Sequence, residues 1–137
     1  MLRASPVLII SGERDHRDKL ADRVYQCGLR PICCETIADA QALMARQQFS
    51  VVLCEDSFPD GAFRALMEQM GRNARKAPVV FVSRRDTWDS YVAAVGAGAF
   101  GYVAFPPNLG ELEQALWTAL SESKRSMRAP AQTAACQ

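Results

Sequence analysis

Short runs of β-branched, apolar or cysteine residues alternate with segments of helical period from one end of this chain to the other, and that alternation narrows the fold to very few architectures. Val7 to Ile10, Pro31 to Cys34, Phe49 to Cys54 and Pro78 to Val82 are four such runs. Their length and composition are those of strands buried on both faces. Gly101 to Ala104 is weaker alone but falls where a fifth strand is due. Between them lie amphipathic stretches. After Glu13 the spacing predicts a helix over Asp15 to Cys27, with His16, Leu20, Val24 and Cys27 on one face and Gly28 as the residue that turns the chain out of it. Thr36 caps a second helix facing inward through Ala40, Leu43 and Met44, and Phe63, Leu66, Met67 and Met70 mark a third that ends near Gly71. Asp86 or Thr87 opens a fourth with Trp88, Tyr91, Val92 and Val95. Asn108 with Glu111 starts a fifth, striped by Leu109, Leu112, Leu116 and Leu120.

A chain of 137 residues with 49% apolar content is sized for one core. Strands alternating with helices require right-handed crossovers, so the expected fold is an α/β, doubly wound (βα)5 domain with a parallel sheet covered on both sides. It should occupy residues 1–121. From Ser121 onward the apolar period is lost among Ser, Lys, Arg, Ala, Gln and Pro, and residues 122–137 are expected to form a flexible C-terminal tail or linker.

Composition excludes several function classes. Sixteen basic against fifteen acidic residues leave a net charge of +1, too little to draw the chain to nucleic acid or an acidic membrane, although Lys124, Arg125 and Arg128 give the tail a modest basic cluster. The five cysteines are odd in number and lack CxxC spacing, and His16 is the only histidine, so neither a disulfide framework nor a zinc site is expected. Cys33, Cys34 and Cys54 read as small apolar fillers. The apolar run near the N-terminus is far short of the roughly 20 residues a membrane span needs. A cytoplasmic location is expected.

In a doubly wound sheet the ligand crevice opens beyond the C-terminal ends of the strands. That places Ser11 to Glu13, Glu55 with Asp56, Ser83, and Phe105 with Pro106 in one region. The segment Val51-Val52-Leu53-Cys54-Glu55-Asp56-Ser57-Phe58-Pro59-Asp60-Gly61, Ser83 after the fourth strand, the Gly96-Ala97-Gly98-Ala99 run and Tyr102 together resemble the receiver domains of two-component response regulators, over roughly Pro6 to Ser121. The resemblance implies a flavodoxin-like three-layer sandwich with five parallel strands in the order 2-1-3-4-5. It also implies an acidic pair after the first strand, an Asp acceptor ending the third, a Ser or Thr ending the fourth and a Lys-Pro after the fifth.

Counting back from Pro59 puts Glu55 at the acceptor position. Ser11 and Gly12, followed by Glu13, stand where the acidic pair should be, and Phe105 stands at the lysine position before Pro106, where receivers usually carry a cis bond. Mg²⁺ requires several hard oxygen ligands, and a developing phosphoryl charge requires a cation opposite it. A hydroxyl, a glycine and a phenylalanine supply neither. The chain is therefore expected to be a pseudo-receiver without resident cofactor, with at most weak Mg²⁺ binding at Glu13 and Glu55. Glu55, longer than Asp by one methylene, would imitate the phosphorylated state by accepting a hydrogen bond from Ser83 and holding the switch residue Tyr102 inward.

The expected activity is signalling by protein contact, not enzymatic turnover: docking a sensor kinase, output domain or regulator, or dimerising, through the face made by the fourth helix, fifth strand and fifth helix, where Trp88, Tyr91 and Tyr102 lie. Two alternatives stand beside it. One is a working receiver phosphorylated at Glu55 or Asp56, and the other a nucleotide- or flavin-binding domain, disfavoured because Ser11-Gly12-Glu13-Arg14 has neither GxGxxG nor a P-loop. Arg84 and Arg85 follow Ser83 and offer charge above the crevice. His16, without a second histidine or a partner at triad-like spacing, reads as a helix-surface residue.

Overall fold

The computed structural model describes residues 6–55, 66–68, 77–84, 87–96 and 98–136, with side chains up to Glu122 apart from Ser90. The strands are β1 (Val7–Ile10), β2 (Pro31–Cys34), β3 (Val51–Glu55), β4 (Val79–Ser83) and β5 (Gly101–Ala104). The helices are α1 (Arg14–Gln26), α2 (Ile37–Arg46), α3 (Trp88–Gly96) and α4 (Leu109–Cys136). Of the helix expected over Phe63 to Met70, residues 66–68 are described and helical; Phe63, Met70 and the stop at Gly71 lie outside the described residues.

All five strands join one parallel sheet in the order β2-β1-β3-β4-β5, as a doubly wound (βα)5 chain requires. Alternate side chains of the same strands feed two cores, because neighbours in a strand point to opposite faces. Val7, Ile9, Val51, Leu53, Val80 and Val82 meet Leu20 and Val24 of α1 and Leu112, Leu116 and Leu120 of α4. On the other face Leu8, Ile10, Val52, Cys54 and Val79 meet Ile37 and Ala40 of α2, Phe49 and Leu66. Phe49 precedes β3, and its ring is core all the same.

Local signals behave as their chemistry dictates. The Thr36 hydroxyl accepts from the Asp39 amide at 3.0 Å, satisfying one of the donors a helix start leaves open. Asn108 does the same for α4, accepting from Gly110 N–H at 2.8 Å. Gly28, at φ +83°, lets the Leu29 amide return to the Val24 carbonyl at 3.2 Å. The helical backbone of α4 does not stop at Ser121, where the apolar period fades, but continues to Cys136 through a stretch rich in good helix formers.

Cys34 and Cys54 are buried as fillers, whereas Cys33, expected to be one too, points out of β2 and is exposed. Burial pushes the Cys34 thiol from its ordinary 9.0 up to about 12, helped by Asp39 and the neighbouring Cys33 and opposed by Arg17. Folding thus favours the neutral thiol, and the stability this confers is fully present below pH 9 and lost as pH climbs toward 12. Urea unfolding compared at pH 8 and pH 11 should show a smaller loss in Cys34→Ala than in the parent. At pH 8 a thiol reagent should label the exposed Cys33 well before Cys34; equal labelling rates would rule this out.

Candidate functional site

Parallel register brings the crevice residues together. Ile10 pairs with Cys54, so the residue after each, Ser11 and Glu55, stand side by side at the strand ends. Glu55 is the last residue of β3, Ser83 the last of β4, and Phe105 follows β5. Ser11 and Ser83 are fully buried and Glu55 is 1% exposed, which is costly for a carboxylate unless its oxygens are satisfied. Both are. The Ser11 hydroxyl donates to Glu55 Oε1 at 2.8 Å, and His16 Nδ1 meets Oε2 at 2.7 Å.

His16 is not a surface residue of α1. It stands in the helix's first turn, on the inward face it shares with Leu20 and Val24, and only 21% of its side chain is exposed. Its ring packs on Phe105, with centroids 4.3 Å apart. Phe105 thus covers the imidazole that engages Glu55. Ser11 is itself fixed from three sides: its amide donates to the Cys34 carbonyl at 3.1 Å, its carbonyl accepts from Arg17 Nη1 at 2.9 Å, and its hydroxyl accepts from the Glu13 amide at 3.3 Å. Arg17 also reaches Glu35, 3.7 Å away.

The remaining expected residues divide. Glu13 is largely exposed and turns its carboxylate to Arg84, 3.9 Å off across the rim. Ser83 was the expected donor to Glu55; the hydrogen bonds that hold its two oxygens come from the β1 and α1 side, from Ser11 and His16. Gly12 is exposed. The Phe105–Pro106 bond is cis, and the Phe105 amide donates to the Ser83 carbonyl at 2.8 Å. Asp56, the stretch to Gly61 and Arg85 lie outside the described residues. The donor set suits Mg²⁺ poorly: one carboxylate is spent on a hydroxyl and an imidazole, the other on a guanidinium, and a hard octahedral ion wants free oxygens.

A second surface lies beside the crevice. On α3, Trp88 is 74% exposed, and Tyr91, Val92 and Val95 are 42%, 48% and 51% exposed; Ala94 turns inward. Their i, i+3, i+4, i+7 spacing makes one continuous stripe, with Phe100 exposed after the helix. The Trp88 and Tyr91 rings lie 5.5 Å apart, and Tyr91 meets the half-buried Tyr102 edge-on at 5.4 Å. Tyr102 packs on its cross-strand neighbour Phe81, at 6.2 Å, and its buried hydroxyl finds no hydrogen-bond partner among the described residues. A groove of about 350 Å³ follows between β5 and α4, lined by Tyr102, Glu111 and Gln114 among others.

The signal for His16 lay in its place on the inward face of α1, one turn above Leu20; its partner, 39 residues away in the chain, is visible only once β1 and β3 are in register.

No family model matches the chain. It is 28% identical to the response regulator protein PilR of Pseudomonas aeruginosa over 113 residues, which are 82% of this chain and 25% of PilR. It is 31% identical to the transcriptional regulatory protein PmrA of Pectobacterium parmentieri over 94 residues, 69% of this chain and 40% of PmrA. The chain thus spans between a quarter and two-fifths of the length of these relatives. Among solved structures, a CheY-like response regulator receiver domain protein from Methanospirillum hungatei superposes with a TM-score of 0.73 at 17% identity, covering 89% of this chain and 98% of that one.

Proposed function

The chain is a receiver domain of the response-regulator type, and on that premise we propose that it is a pseudo-receiver, one that signals through protein contacts without phosphorylation of a carboxylate. The observation that carries this reading is the state of Glu55. Its carboxylate is buried, one oxygen is held by Ser11 and the other by His16, and a phenylalanine covers the assembly where a counter-cation would be needed. A phosphoryl donor meets neither an open nucleophile nor an ion cage. The fixed carboxylate also stands in for a permanent charge at the acceptor position, here anchored to α1 instead of to Ser83.

The output surface in this reading is the exposed face of α3 with β5 and α4, which docks a sensor kinase, output domain or regulator, or a second copy. Large exposed aromatic and aliphatic side chains at helical spacing are the composition of a contact core. The domain carries no enzymatic turnover, no resident metal and no nucleic-acid site of its own, and works in the cytoplasm. No helix among the described residues is long and apolar enough to cross a membrane. A division at residue 121, with the chain beyond serving as a connection, belongs to the same reading.

Acetyl phosphate with Mg²⁺ tests it. Intact mass should show no hydroxylamine-sensitive phosphoryl group after an incubation that fully labels a working receiver in parallel. A stable gain mapped to Glu55 or Asp56 would establish the rival reading of a functional, atypical receiver.

A further inference from the structure

We propose that His16 is itself a phosphoryl acceptor, through Nε2, for donors that carry the phosphoryl group on nitrogen. The proposal rests on the reading above that the crevice carboxylate is not the acceptor, and assigns Glu55 a positioning role instead. Ser11 donates to Oε1, and His16 Nδ1 lies 2.7 Å from Oε2; a carboxylate only accepts, so the shared proton is assigned to Nδ1, which in the neutral ring leaves the lone pair on Nε2. Nε2 makes no hydrogen bond among the described residues, and the side chain opens to solvent over 21% of its surface. Phe105 against the ring restrains its rotation. A buried carboxylate that orients an imidazole and offsets the charge it acquires is the arrangement that makes such a nitrogen nucleophilic.

His16 lies in the first turn of α1, whose leading amides carry positive partial charge, and across the rim Arg84 offsets the carboxylate of Glu13. Transfer from phosphoramidate balances as follows. The Nε2 lone pair attacks phosphorus and forms an N–P bond; the donor's own N–P bond breaks, and ammonia leaves with that electron pair. The Nδ1 proton stays in its hydrogen bond, so the positive charge of the phosphorylated ring faces the Glu55 carboxylate. One N–P bond replaces another, and no acyl phosphate is formed.

The full chain, incubated with phosphoramidate, should gain one phosphoryl group that is stable to alkali and labile to acid. His16 is the only histidine, but a phosphorylated lysine shares this stability, so the group should map to His16 by peptide mass and be absent from His16→Gln. Labelling should run about tenfold or more faster than for the same chain in urea, and Glu55→Gln, which no longer fixes the tautomer, should fall toward the unfolded rate. Nitrogen-15 NMR of the parent, which needs no variant to fold, should find the neutral ring protonated at Nδ1 and bare at Nε2. Labelling no faster than in urea, no acid-labile group at all, or a proton on Nε2 would each overturn the proposal while leaving the contact-based reading intact. A hydroxylamine-sensitive group on a carboxylate would overturn both.

Discussion

His16→Ala should lower folding stability by about 2–4 kcal/mol, measured by urea unfolding near neutral pH, although it removes a residue from the mouth of a crevice and not from either core. The substitution deletes one of the two groups that satisfy a carboxylate with 1% exposure, and a buried charge stripped of a partner costs more than the partner's own contacts would suggest. The partial exposure of the imidazole keeps the figure below that of a fully buried pair. Replacing both members tells the two effects apart. Glu55→Met with His16→Leu removes the charge and the need for a partner together, so the double variant should lie closer to the parent than His16→Ala does. The loss in His16→Ala should also persist at 1 M salt, since a pair shielded from water is little screened. A His16→Ala protein within about 0.5 kcal/mol of the parent would mean that Glu55 is satisfied some other way.

The fold was legible because each local choice agrees with the whole. Five apolar runs at regular intervals leave few alternatives to a parallel sheet with crossover helices, and Thr36, Asn108 and Gly28 set element ends by chemistry that needs no tertiary partner. That Glu55 stands at the end of the third strand was legible from the apolar run before it. Its hydrogen bonds were not. The resemblance to receivers directs the eye along the sheet to Ser83, whereas the register of β1 on β3 and the first turn of α1 put Ser11 and His16 nearer. A sequence gives the face of a helix but not which of several strand ends that face will cover. The stripe on α3 was ambiguous for a different reason: Trp88, Tyr91, Val92 and Val95 have the period of a core-facing helix, and nothing in the spacing says that the face turns outward. Helical period identifies an apolar surface; only packing decides whether the molecule itself covers it.

That outward turn yields the second large effect. Trp88→Asp should weaken association through the α3 face by about 2–4 kcal/mol, roughly 30- to 1,000-fold in dissociation constant, while changing folding stability by less than about 0.5 kcal/mol. The separation follows from exposure. Trp88 is 74% accessible and its ring stacks on Tyr91, so the domain loses little when the indole goes, whereas a contact that buries the indole loses its largest apolar group and must desolvate a carboxylate as well. Asp89 beside it adds like-charge repulsion. Tyr91→Ala should behave differently, because its ring also leans on Tyr102, which lies in register with Phe81 of β4. It should cost both association and about 1 kcal/mol of stability. Sedimentation equilibrium over a wide concentration range reads self-association, and urea unfolding of the same samples reads stability. If Trp88→Asp destabilises the fold as a core substitution would and leaves association unchanged, the stripe belongs to the domain's own architecture and the α3 face is not where this receiver makes its contacts.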